Sequence, residues 1–409
     1  MGKKAVIYGG GNIGRGFIGQ LFYESGYDTV FIDIDKELIA QLNRAREYPI
    51  KFIDTETGSG APGSEIIIKN VRGIDGSAEN IDEVADAVAQ ADIMAVSVGA
   101  GVLKHIMRPV AMGINRRLAG GARPLDIILC ENLIGADKIM RVGVGEHIDA
   151  GFRTLYDDKI GFAAASVGRT VPTQTDEMKA GNPLRIAAES YKSLPVDKAG
   201  FKGGIPEING MIAYTQFEYF IRRKLYLHNM GHAVCAYLGD ISGCDYIWQA
   251  AQNPYAELTV GKTMQRSALA LSKIYRADIC GLNSYTENLI YRFGNKALGD
   301  TVKRVGVDLK RKLAPNDRII GAYAICAQTG VPVHYVCLAI AAAVNFRGDK
   351  LSGGSLEDIL GEAGSYAEIA GNDLALVKKY DGIIKAGADI RELLDVVKRD
   401  ENIVNVEKS

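Results

Sequence analysis

Residues 4–14, Lys-Ala-Val-Ile-Tyr-Gly-Gly-Gly-Asn-Ile-Gly, decide the fold of the first half of the chain. An apolar strand runs into three glycines, and apolar residues then recur at helical spacing from Ile13 to Leu21. The next apolar strand ends at Asp33, which lies 22 residues beyond Gly11. A strand, a Gly-x-Gly-x-x-Gly turn, a helix and an acid at a strand end, in this order, predict a dinucleotide-binding βαβ unit.

Each glycine of this turn has its own physical role. Gly9 permits the tight turn, Gly11 lets the backbone approach a pyrophosphate, and Gly14 lets the helix pack closely on the strand. The helix begins at Asn12 and Ile13, whose amides would supply hydrogen-bond donors to the phosphates. An incidental glycine turn is the alternative interpretation, and the complete context of strand, helix and acid argues against it.

The strand-end acid Asp33 bears on the choice of cofactor. Its carboxylate can accept hydrogen bonds from both hydroxyls of the adenosine ribose, and its charge would repel a 2′-phosphate. The sequence therefore predicts NAD rather than NADP. Asp35 and Lys36 lie close by in the sequence and leave the strictness of that preference open.

Further strand-like segments suggest that the sheet continues along the first half of the chain. They cover residues 50–54, 65–69, 92–98, 126–130, 161–167 and 184–188, and the turn-rich stretch 57–64 suggests a hairpin insertion. In doubly wound sheets, ligands collect at the carboxyl ends of the strands, where Ser97, Gly99 and Asn132 would lie. Asn132 is therefore a site candidate, although an asparagine after a strand can also simply form a turn.

From about residue 210 onward the apolar residues recur with a period of 3.6 and strand signals become sparse. The predicted fold is an α/β N-terminal domain with a Rossmann-type doubly wound sheet, followed by a mainly α-helical C-terminal domain. We place the NAD-binding domain at residues 1–197 and the helical domain, expected to carry substrate and catalytic groups, at residues 198–409.

The helical half contains the string Lys224-Leu-Tyr-Leu-His-Asn-Met-Gly-His232. On a regular helix at about 100° per residue, His232 would lie roughly 80° round from Lys224, and Asn229 roughly 60° beyond His232. A desolvated lysine can act as a general base, an amide can hydrogen-bond a developing alkoxide, and an imidazole can orient a hydroxyl. The plainer interpretation is a solvated polar face of an amphipathic helix.

Composition excludes several classes of partner. The 48 Lys and Arg residues and 49 Asp and Glu residues leave a formal charge of -1, so no global field favours nucleic acid or an anionic membrane. The six cysteines form no Cys-x-x-Cys pair, and no histidine has ligand-like spacing, so we expect no disulfide and no metal site. With neither a signal peptide nor a membrane span in the sequence, a cytoplasmic protein is expected.

The sequence resembles the long-chain polyol dehydrogenases of the mannitol dehydrogenase type, most closely their mannitol-1-phosphate 5-dehydrogenase branch. The resemblance runs almost end to end, and the Lys-x4-Asn-x2-His element at 224–232 is its most specific part. The other segments that carry it are residues 9–19, 130–133, 201–203, 233–239 and 311–318.

This resemblance implies reversible, metal-independent hydride transfer between NAD and a secondary alcohol, with D-mannitol 1-phosphate and D-fructose 6-phosphate as the leading substrate pair. Lys224 would be the general base, Asn132 and Asn229 would hold the reacting oxygen, and His232 would fix a neighbouring substrate hydroxyl. The partner would thus be a small polyol or sugar phosphate, and the protein a monomer or a small homo-oligomer.

The resemblance also implies that Arg311 and Arg318 face the substrate, although both could be surface charges. Two departures concern the substrate: Gly168 stands where relatives commonly carry an acid, and Val307 where the mannitol-1-phosphate enzymes tend to carry a basic residue. An unphosphorylated polyol or a hexuronate is therefore the alternative substrate. A non-catalytic NAD-binding regulator is a more remote alternative.

Overall fold

The structure is a computed structural model that describes residues 2–54, 64–121, 123–131 and 133–407, with the side chains of 403–407 excepted. The chain forms two compact units that meet in sequence between Phe220 and Ile221. This division lies later than the 197/198 boundary expected from the sequence. Strands at 194–197 and 211–214 pair with each other, and this pairing keeps the intervening chain in the first unit.

The strands of the described chain all belong to the first unit. They are β1 (Lys3–Tyr8), β2 (Tyr27–Asp33), β3 (Glu47–Phe52), β4 (Glu65–Lys69), β5 (Val71–Asp75), β6 (Ile93–Val96), β7 (Leu125–Leu129), β8 (Ile160–Ala164), β9 (Ile186–Ala188), β10 (Leu194–Asp197) and β11 (Met211–Tyr214).

Six of these strands form one parallel sheet in the order β5-β2-β1-β6-β7-β8. From β1 the chain runs outward through β2 and β5 and then crosses back to β6, so that β2 and β5 lie on one side of β1 and β6, β7 and β8 on the other. This is the strand order 3-2-1-4-5-6 of a doubly wound dinucleotide-binding domain. The carboxyl ends of β1 and β6 meet at the switch point, where ligands bind in such sheets.

Three predicted strands lie outside this sheet. β3 pairs antiparallel with β4 and parallel with β9, in a separate three-stranded sheet. The expectation that residues 50–54, 65–69 and 184–188 extend the main sheet is therefore wrong. β5 is the strand that pairs with β2 at this edge of the main sheet. It follows β4 after a single residue, Asn70, whose backbone has a positive φ of 57° and breaks the extended conformation between the two strands. The antiparallel pairing of β3 and β4 agrees with a hairpin, but residues 55–63 of its connection lie outside the described ranges.

Helices cover both faces of the main sheet. Those of the first unit are α1 (Gly19–Glu24), α2 (Lys36–Ala45), α3 (Ile81–Gln90), α4 (Leu103–Ala119), α5 (Ala136–Gly145), α6 (Arg153–Lys159) and α7 (Asp176–Lys179). In β1, Ala5 and Ile7 belong to one buried apolar cluster, and Val6 and Tyr8 to the other. Burial on both faces explains the continuous apolar run that precedes the glycines.

The second unit is helical in all its described regular elements. The remaining helices are α8 (Phe217–Arg223), which crosses the unit boundary, α9 (Met230–Ile241), α10 (Ile247–Gln252), α11 (Pro254–Tyr275), α12 (Ile279–Phe293), α13 (Val302–Gly306), α14 (Leu309–Lys312), α15 (Ile320–Gln328), α16 (His334–Val344), α17 (Leu356–Glu362), α18 (Gly371–Lys385) and α19 (Ile390–Glu407). Every residue of α16 is buried, so this helix forms the centre of the unit.

No helix within the described ranges is long and apolar enough to cross a membrane. The predicted fold class, a Rossmann-type sheet followed by a helical domain, is confirmed.

Candidate active site

The glycine turn after β1 has the geometry that its sequence predicts. Gly9 has a φ of +103°, and a Cβ atom there would lie 2.4 Å from the carbonyl oxygen of Ser97, whose hydroxyl donates to the Gly9 carbonyl (3.1 Å). A Cβ atom on Gly14 would lie 1.9 Å from the Gly9 oxygen. At Gly11, by contrast, a Cβ atom would meet nothing within 4 Å. Two glycines are thus required by protein packing, and the third borders open space of the kind that a pyrophosphate needs.

The helix after the turn begins with Asn12 and Ile13 and passes into a π-helix over Gly14–Ile18. The amide of Gly19 donates to the carbonyl of Gly14, five residues back. Ile13 precedes this segment, and the side-chain amide of Asn12 donates to the carbonyl of Pro172 (3.0 Å). The turn is therefore fastened to the 167–172 segment, and Asn12 and Ile13 stand at the helix N-terminus as predicted from the sequence.

Asp33 is fastened to the same turn. Its Oδ2 accepts the amide hydrogen of Gly10 (2.6 Å) and its Oδ1 accepts that of Asp35 (3.1 Å). Asp75, at the end of the neighbouring β5, is its register partner and pairs with the ammonium of Lys36 (3.6 Å). Lys36, which follows this strand end closely in the sequence, is thus engaged by a carboxylate, and the region fits an adenosine ribose with free hydroxyls.

The ends of β6 and β7 are joined by Glu131, which the sequence interpretation did not single out. Oε1 of Glu131 accepts hydrogen bonds from the amides of Val98 (2.7 Å) and Gly99 (3.0 Å). Burial raises the pKa of this carboxyl, although the two amides oppose the shift. Gly99, with φ +90°, lies where the sequence places it, next to the switch point. Asn132 lies outside the described residues, so its place in the site remains a prediction.

In the helical unit, the predicted active-site string contains a second π-helix. It spans Lys224–Asn229, between α8 and α9. The amide of Met230 donates to the carbonyl of Leu225, five residues back, as π geometry requires. Single π turns inside α-helices occur frequently at functional sites.

This π-helix changes the angular positions that a regular helix would give. A π turn holds about 4.4 residues, or roughly 82° per residue, so Asn229 lies about 50° from Lys224 instead of about 140°. Three further α-helical residues bring His232 to within roughly 10° of Lys224, where a regular helix would leave about 80°. The regular-helix assumption is therefore wrong in detail, and the π turn draws the amine, the amide and the imidazole onto one narrower face. All three side chains are half-buried.

His232 is held by its neighbours in the same unit. Its Nε2 lies 3.2 Å from Oδ2 of Asp300, and its ring stacks on Phe293 with centroids 5.1 Å apart. The other carboxylate oxygen of Asp300 pairs with the guanidinium of Arg304. Burial acts to raise the pKa of Asp300, but the contacts with His232 and Arg304 outweigh it and lower that pKa. Asp300 was missed from the sequence, because it is 68 positions away from His232.

His228 lies between Lys224 and His232 along the same face. Its Nδ1 is buried and has no hydrogen-bond partner among the described residues. Burial lowers the pKa of this imidazole well below its ordinary value, and four neighbouring basic groups lower it further: Arg292, His232, Lys224 and Arg318. His228 is not one of the three residues of the Lys-x4-Asn-x2-His element. The structure half-buries the ring with Nδ1 enclosed, among basic groups that favour its neutral form.

The two arginines predicted to face substrate differ in exposure. Arg318 is only 13 % exposed, pairs with Asp317 (2.7 Å), and is close enough to His228 to affect its pKa. Arg311 is 54 % exposed and pairs with Asp308 (2.5 Å). The structure thus brings Arg318 into the group around His228, whereas Arg311 lies on a more open, carboxylate-paired surface.

Lys312 is a buried lysine that the sequence interpretation overlooked. Its ammonium donates to the carbonyls of Val305 and Val307. Burial lowers the pKa of Lys312 to about 8, with further contributions from the charges of Arg318 and Arg311. Lys312 follows Lys310 and Arg311 in a basic stretch that gives no sequence signal of burial, which is why this side chain could not be recognised.

Comparisons with known proteins agree with this architecture. Residues 3–210 match the family model described as the mannitol dehydrogenase Rossmann domain, and residues 216–377 match the mannitol dehydrogenase C-terminal domain. A mannitol-1-phosphate 5-dehydrogenase from Brevibacillus brevis is 35 % identical over 342 residues, which cover 84 % of this chain and 86 % of the relative. An enzyme of the same name from Thermoanaerobacter pseudethanolicus is 35 % identical over 343 residues, with 84 % and 86 % covered.

Two solved structures share the fold at low sequence identity. Mannitol 2-dehydrogenase from Pseudomonas fluorescens, solved with NAD and D-mannitol, matches with a TM-score of 0.70 and 16 % identity, over 97 % of this chain and 94 % of its own. A substrate-free D-sorbitol dehydrogenase matches with a TM-score of 0.75 and 14 % identity, over 95 % and 94 %.

A doubly wound sheet with a glycine turn, followed by a helical unit with a Lys-Asn-His face, defines a two-domain oxidoreductase of the Rossmann type. Within the described residues, no group of three or more His, Cys, Asp or Glu side chains could hold a metal ion. With both of its family models matched, the chain belongs to the mannitol dehydrogenase family. The family predicted from the sequence is thereby confirmed.

Proposed function

We propose that this protein is an NAD-dependent polyol-phosphate dehydrogenase that interconverts D-mannitol 1-phosphate and D-fructose 6-phosphate. The observation that carries the proposal is the π turn at 224–229, which groups the family's Lys-x4-Asn-x2-His side chains on one face of the helical unit. The 35 % identity to enzymes named mannitol-1-phosphate 5-dehydrogenase supports the choice of substrate.

The glycine turn supports NAD as the cofactor. The open space at Gly11 would admit the pyrophosphate, and the helix N-terminus at Asn12 and Ile13 would donate to it. Asp33, fixed by the amide of Gly10, would accept the ribose hydroxyls. When bound, NAD supplies a nicotinamide ring that accepts or returns the hydride.

The helical unit would supply the proton chemistry. Lys224 would take the proton from the substrate hydroxyl during oxidation, and return it to the carbonyl oxygen during reduction. The side-chain amide of Asn229 would donate a hydrogen bond to that oxygen and stabilise the charge that develops on it. Asn132, predicted to bind the oxygen from a second direction, is part of this proposal on sequence grounds alone. His232 would hold a neighbouring hydroxyl and so fix which carbon reacts.

The charge around His228 supports an anionic substrate. Arg318, Arg292 and Lys224 are close enough to depress the pKa of this ring, and Lys312 lies near Arg318. Such a cluster favours a bound phosphate or carboxylate.

A second candidate keeps the chemistry and changes the substrate to an unphosphorylated polyol or a hexuronate. It is favoured by the carboxylate pairing of Arg311 and Arg318, which reduces the positive charge left for a phosphate dianion. The neutral residues Gly168 and Val307, at positions where relatives differ, point the same way.

A panel of ketoses separates these candidates. NADH oxidation is measured with fructose 6-phosphate, fructose and tagaturonate at equal enzyme concentration. The proposal expects kcat/KM to be highest for fructose 6-phosphate by at least about tenfold, since a bound phosphate contributes several charge-assisted hydrogen bonds. Higher activity with fructose or tagaturonate would overturn the phosphorylated substrate. Binding of NADH without turnover of any ketose would favour the non-catalytic regulator.

A further inference from the structure

Asp300 contacts two side chains of the helical unit, those of His232 and Arg304, through one buried carboxylate. It is 6 % exposed, its Oδ2 lies 3.2 Å from Nε2 of His232, and its Oδ1 pairs with the guanidinium of Arg304. The two partners come from different helices, His232 from α9 and Arg304 from α13. The carboxylate therefore fixes the distance between these two side chains.

The backbone around Asp300 sets the position of this carboxylate. The Asp300 carbonyl accepts the amide hydrogen of Ile247 (2.9 Å), and Thr301 forms an isolated β-bridge with Tyr246. The Thr301 hydroxyl then caps α13 by accepting the amide hydrogen of Arg304 (3.2 Å). Asp300 thus stands immediately before a capped helix, on a backbone that is hydrogen-bonded on both sides.

The imidazole that faces Asp300 is also confined. The ring of Phe293 stacks on that of His232 with an angle of 20° between their planes, and Phe293 is itself buried. The stacking restricts rotation of the imidazole out of its plane, and the Asp300 contact selects the nitrogen that points inward.

The carboxylate decides which nitrogen of the neutral ring carries the hydrogen. A carboxylate only accepts hydrogen bonds, so the hydrogen must reside on Nε2 of the imidazole. Nδ1 of the neutral ring is then left as a hydrogen-bond acceptor.

We propose that Asp300 is a positioning residue that holds His232 in the Nε2–H tautomer, so that Nδ1 accepts the hydrogen of a substrate hydroxyl. The proposal rests on the proposed function, in which His232 contacts the substrate. In this arrangement the choice of the substrate hydroxyl bound by His232 depends on Asp300, which itself need not touch the substrate. The carboxylate of Asp300 orients the imidazole of His232, as carboxylates do for other functional histidines.

The substitution Asp300→Asn tests the tautomer directly, because Arg304 determines which way the new side-chain amide is oriented. A guanidinium has donors only, so the amide oxygen of the new side chain must face Arg304 and its NH₂ group must face His232. Nε2 then becomes an acceptor and the ring hydrogen moves to Nδ1. Asp300→Asn thus reverses the tautomer while nearly preserving side-chain volume.

The reversal is measured by ¹⁵N NMR of histidine-labelled protein, in which only five histidines contribute. The spectrum is recorded at about pH 8, where an unperturbed imidazole is neutral. His232 is identified by the signal that a His232→Gln variant loses. We expect Nε2–H in the wild type and Nδ1–H in Asp300→Asn. An Nδ1–H tautomer or a doubly protonated ring in the wild type overturns the proposal, even if the variant does not fold.

Kinetics then connect the tautomer to function. We expect Asp300→Asn to lower kcat/KM for the ketose about 10- to 1000-fold with NADH affinity unchanged, since an acceptor at the substrate becomes a donor. In a His232→Ala background the same substitution should cost less than about threefold, because its effect passes through the imidazole. Additive losses in the double variant would overturn the proposal.

Glu401 supplies the matched control. It is a buried carboxylate paired with Arg266 (2.8 Å), and Glu401→Gln should lower stability with kcat/KM unchanged.

A wild type that turns over no ketose would overturn the proposed function, while the NMR result would still decide the pairing of Asp300 with His232.

Discussion

The amide of Gly10 donates a 2.6 Å hydrogen bond to Oδ2 of Asp33, so the acid at the end of β2 is fixed to the glycine turn. An asparagine can retain this bond through its amide oxygen but carries no charge. We therefore expect Asp33→Asn to raise KM for NAD about tenfold, and to reduce discrimination against NADP by at least as much. Steady-state kinetics with both cofactors measure the change.

Asp278 provides the control for that substitution. It is an exposed N-cap in the helical unit and accepts the amides of Cys280 and Gly281. Asp278→Asn should leave both cofactor KM values unchanged. An Asp33→Asn enzyme with unaltered NAD-to-NADP selectivity would show that the ribose is recognised elsewhere.

Gly11 and Gly14 should respond differently to alanine. A Cβ atom on Gly14 would collide with the Gly9 carbonyl, so Gly14→Ala should lower the free energy of unfolding by roughly 1–3 kcal/mol. Gly11→Ala meets open space and should melt as the wild type does, but its methyl group would occupy the pyrophosphate position and weaken NADH binding about tenfold or more.

Thermal melts and NADH fluorescence titrations separate these two effects. Gly151 is the control, because it is exposed and a Cβ atom added there would meet nothing within 4 Å. Gly151→Ala should therefore change neither measurement. Full NADH affinity in Gly11→Ala would argue against a pyrophosphate at the turn.

Lys224 is the proposed base, and its amine acts in the helical unit rather than at the nucleotide turn. We expect Lys224→Ala to lower kcat about 10²- to 10⁴-fold with little change in NADH affinity, because general-base catalysis is lost while cofactor binding is not. The control is Lys273→Ala, which removes an exposed ammonium bound to the Thr329 carbonyl. Retention of more than about a tenth of the wild-type kcat by Lys224→Ala would exclude Lys224 as the base.

His228 should make the stability of the protein depend on pH. Burial and the neighbouring basic groups Arg292, His232, Lys224 and Arg318 lower the pKa of this imidazole in the folded state. Above about pH 6.5 the ring is neutral in both states and has no effect. Below that pH only the unfolded chain takes up the proton, so stability falls by up to about 1.4 kcal/mol per pH unit until the folded pKa is reached.

The substitution His228→Leu removes this proton. The decrease in Tm between about pH 7.5 and 5.5 should be smaller in His228→Leu than in the wild type. His334, whose pKa is also lowered, stays in both proteins and cancels in the comparison. His105→Gln, a change at an exposed histidine, should leave the wild-type dependence intact. Equal pH dependence in His228→Leu and the wild type would contradict a neutral buried ring.

Local sequence signals predicted the main features of the fold. The glycine turn, the acid at Asp33 and the change of period near residue 210 each depend on residues close together in the chain. They predicted the doubly wound sheet and the helical domain. β5 was not predicted. It follows β4 after a single residue, Asn70, so the sequence shows no turn signal that would separate two strands there.

The site was predictable in its residues more than in its geometry. Lys224, Asn229 and His232 share a short string, but the i to i+5 hydrogen bonds that align them leave no pattern in residue types. The contact between His232 and Asp300 joins positions 68 apart, and the burial of Lys312 depends on packing that charge patterns do not reveal. Long-range contacts of this kind are fixed by tertiary packing, not by local preference.

The π turn at 224–229 makes the active face depend on chain length as well as on chemistry. A π turn accommodates one residue more than the α-helix around it. Deleting one residue between Lys224 and Asn229 would restore an unbroken α-helix, with Asn229 about 40° and His232 about 20° from Lys224, so the three side chains would still share one face. Inserting one further residue would instead turn Asn229 and His232 by roughly 100° away from Lys224. An alignment of family members should therefore tolerate a one-residue gap in this segment together with loss of the π turn, whereas a one-residue insertion would signal a changed activity.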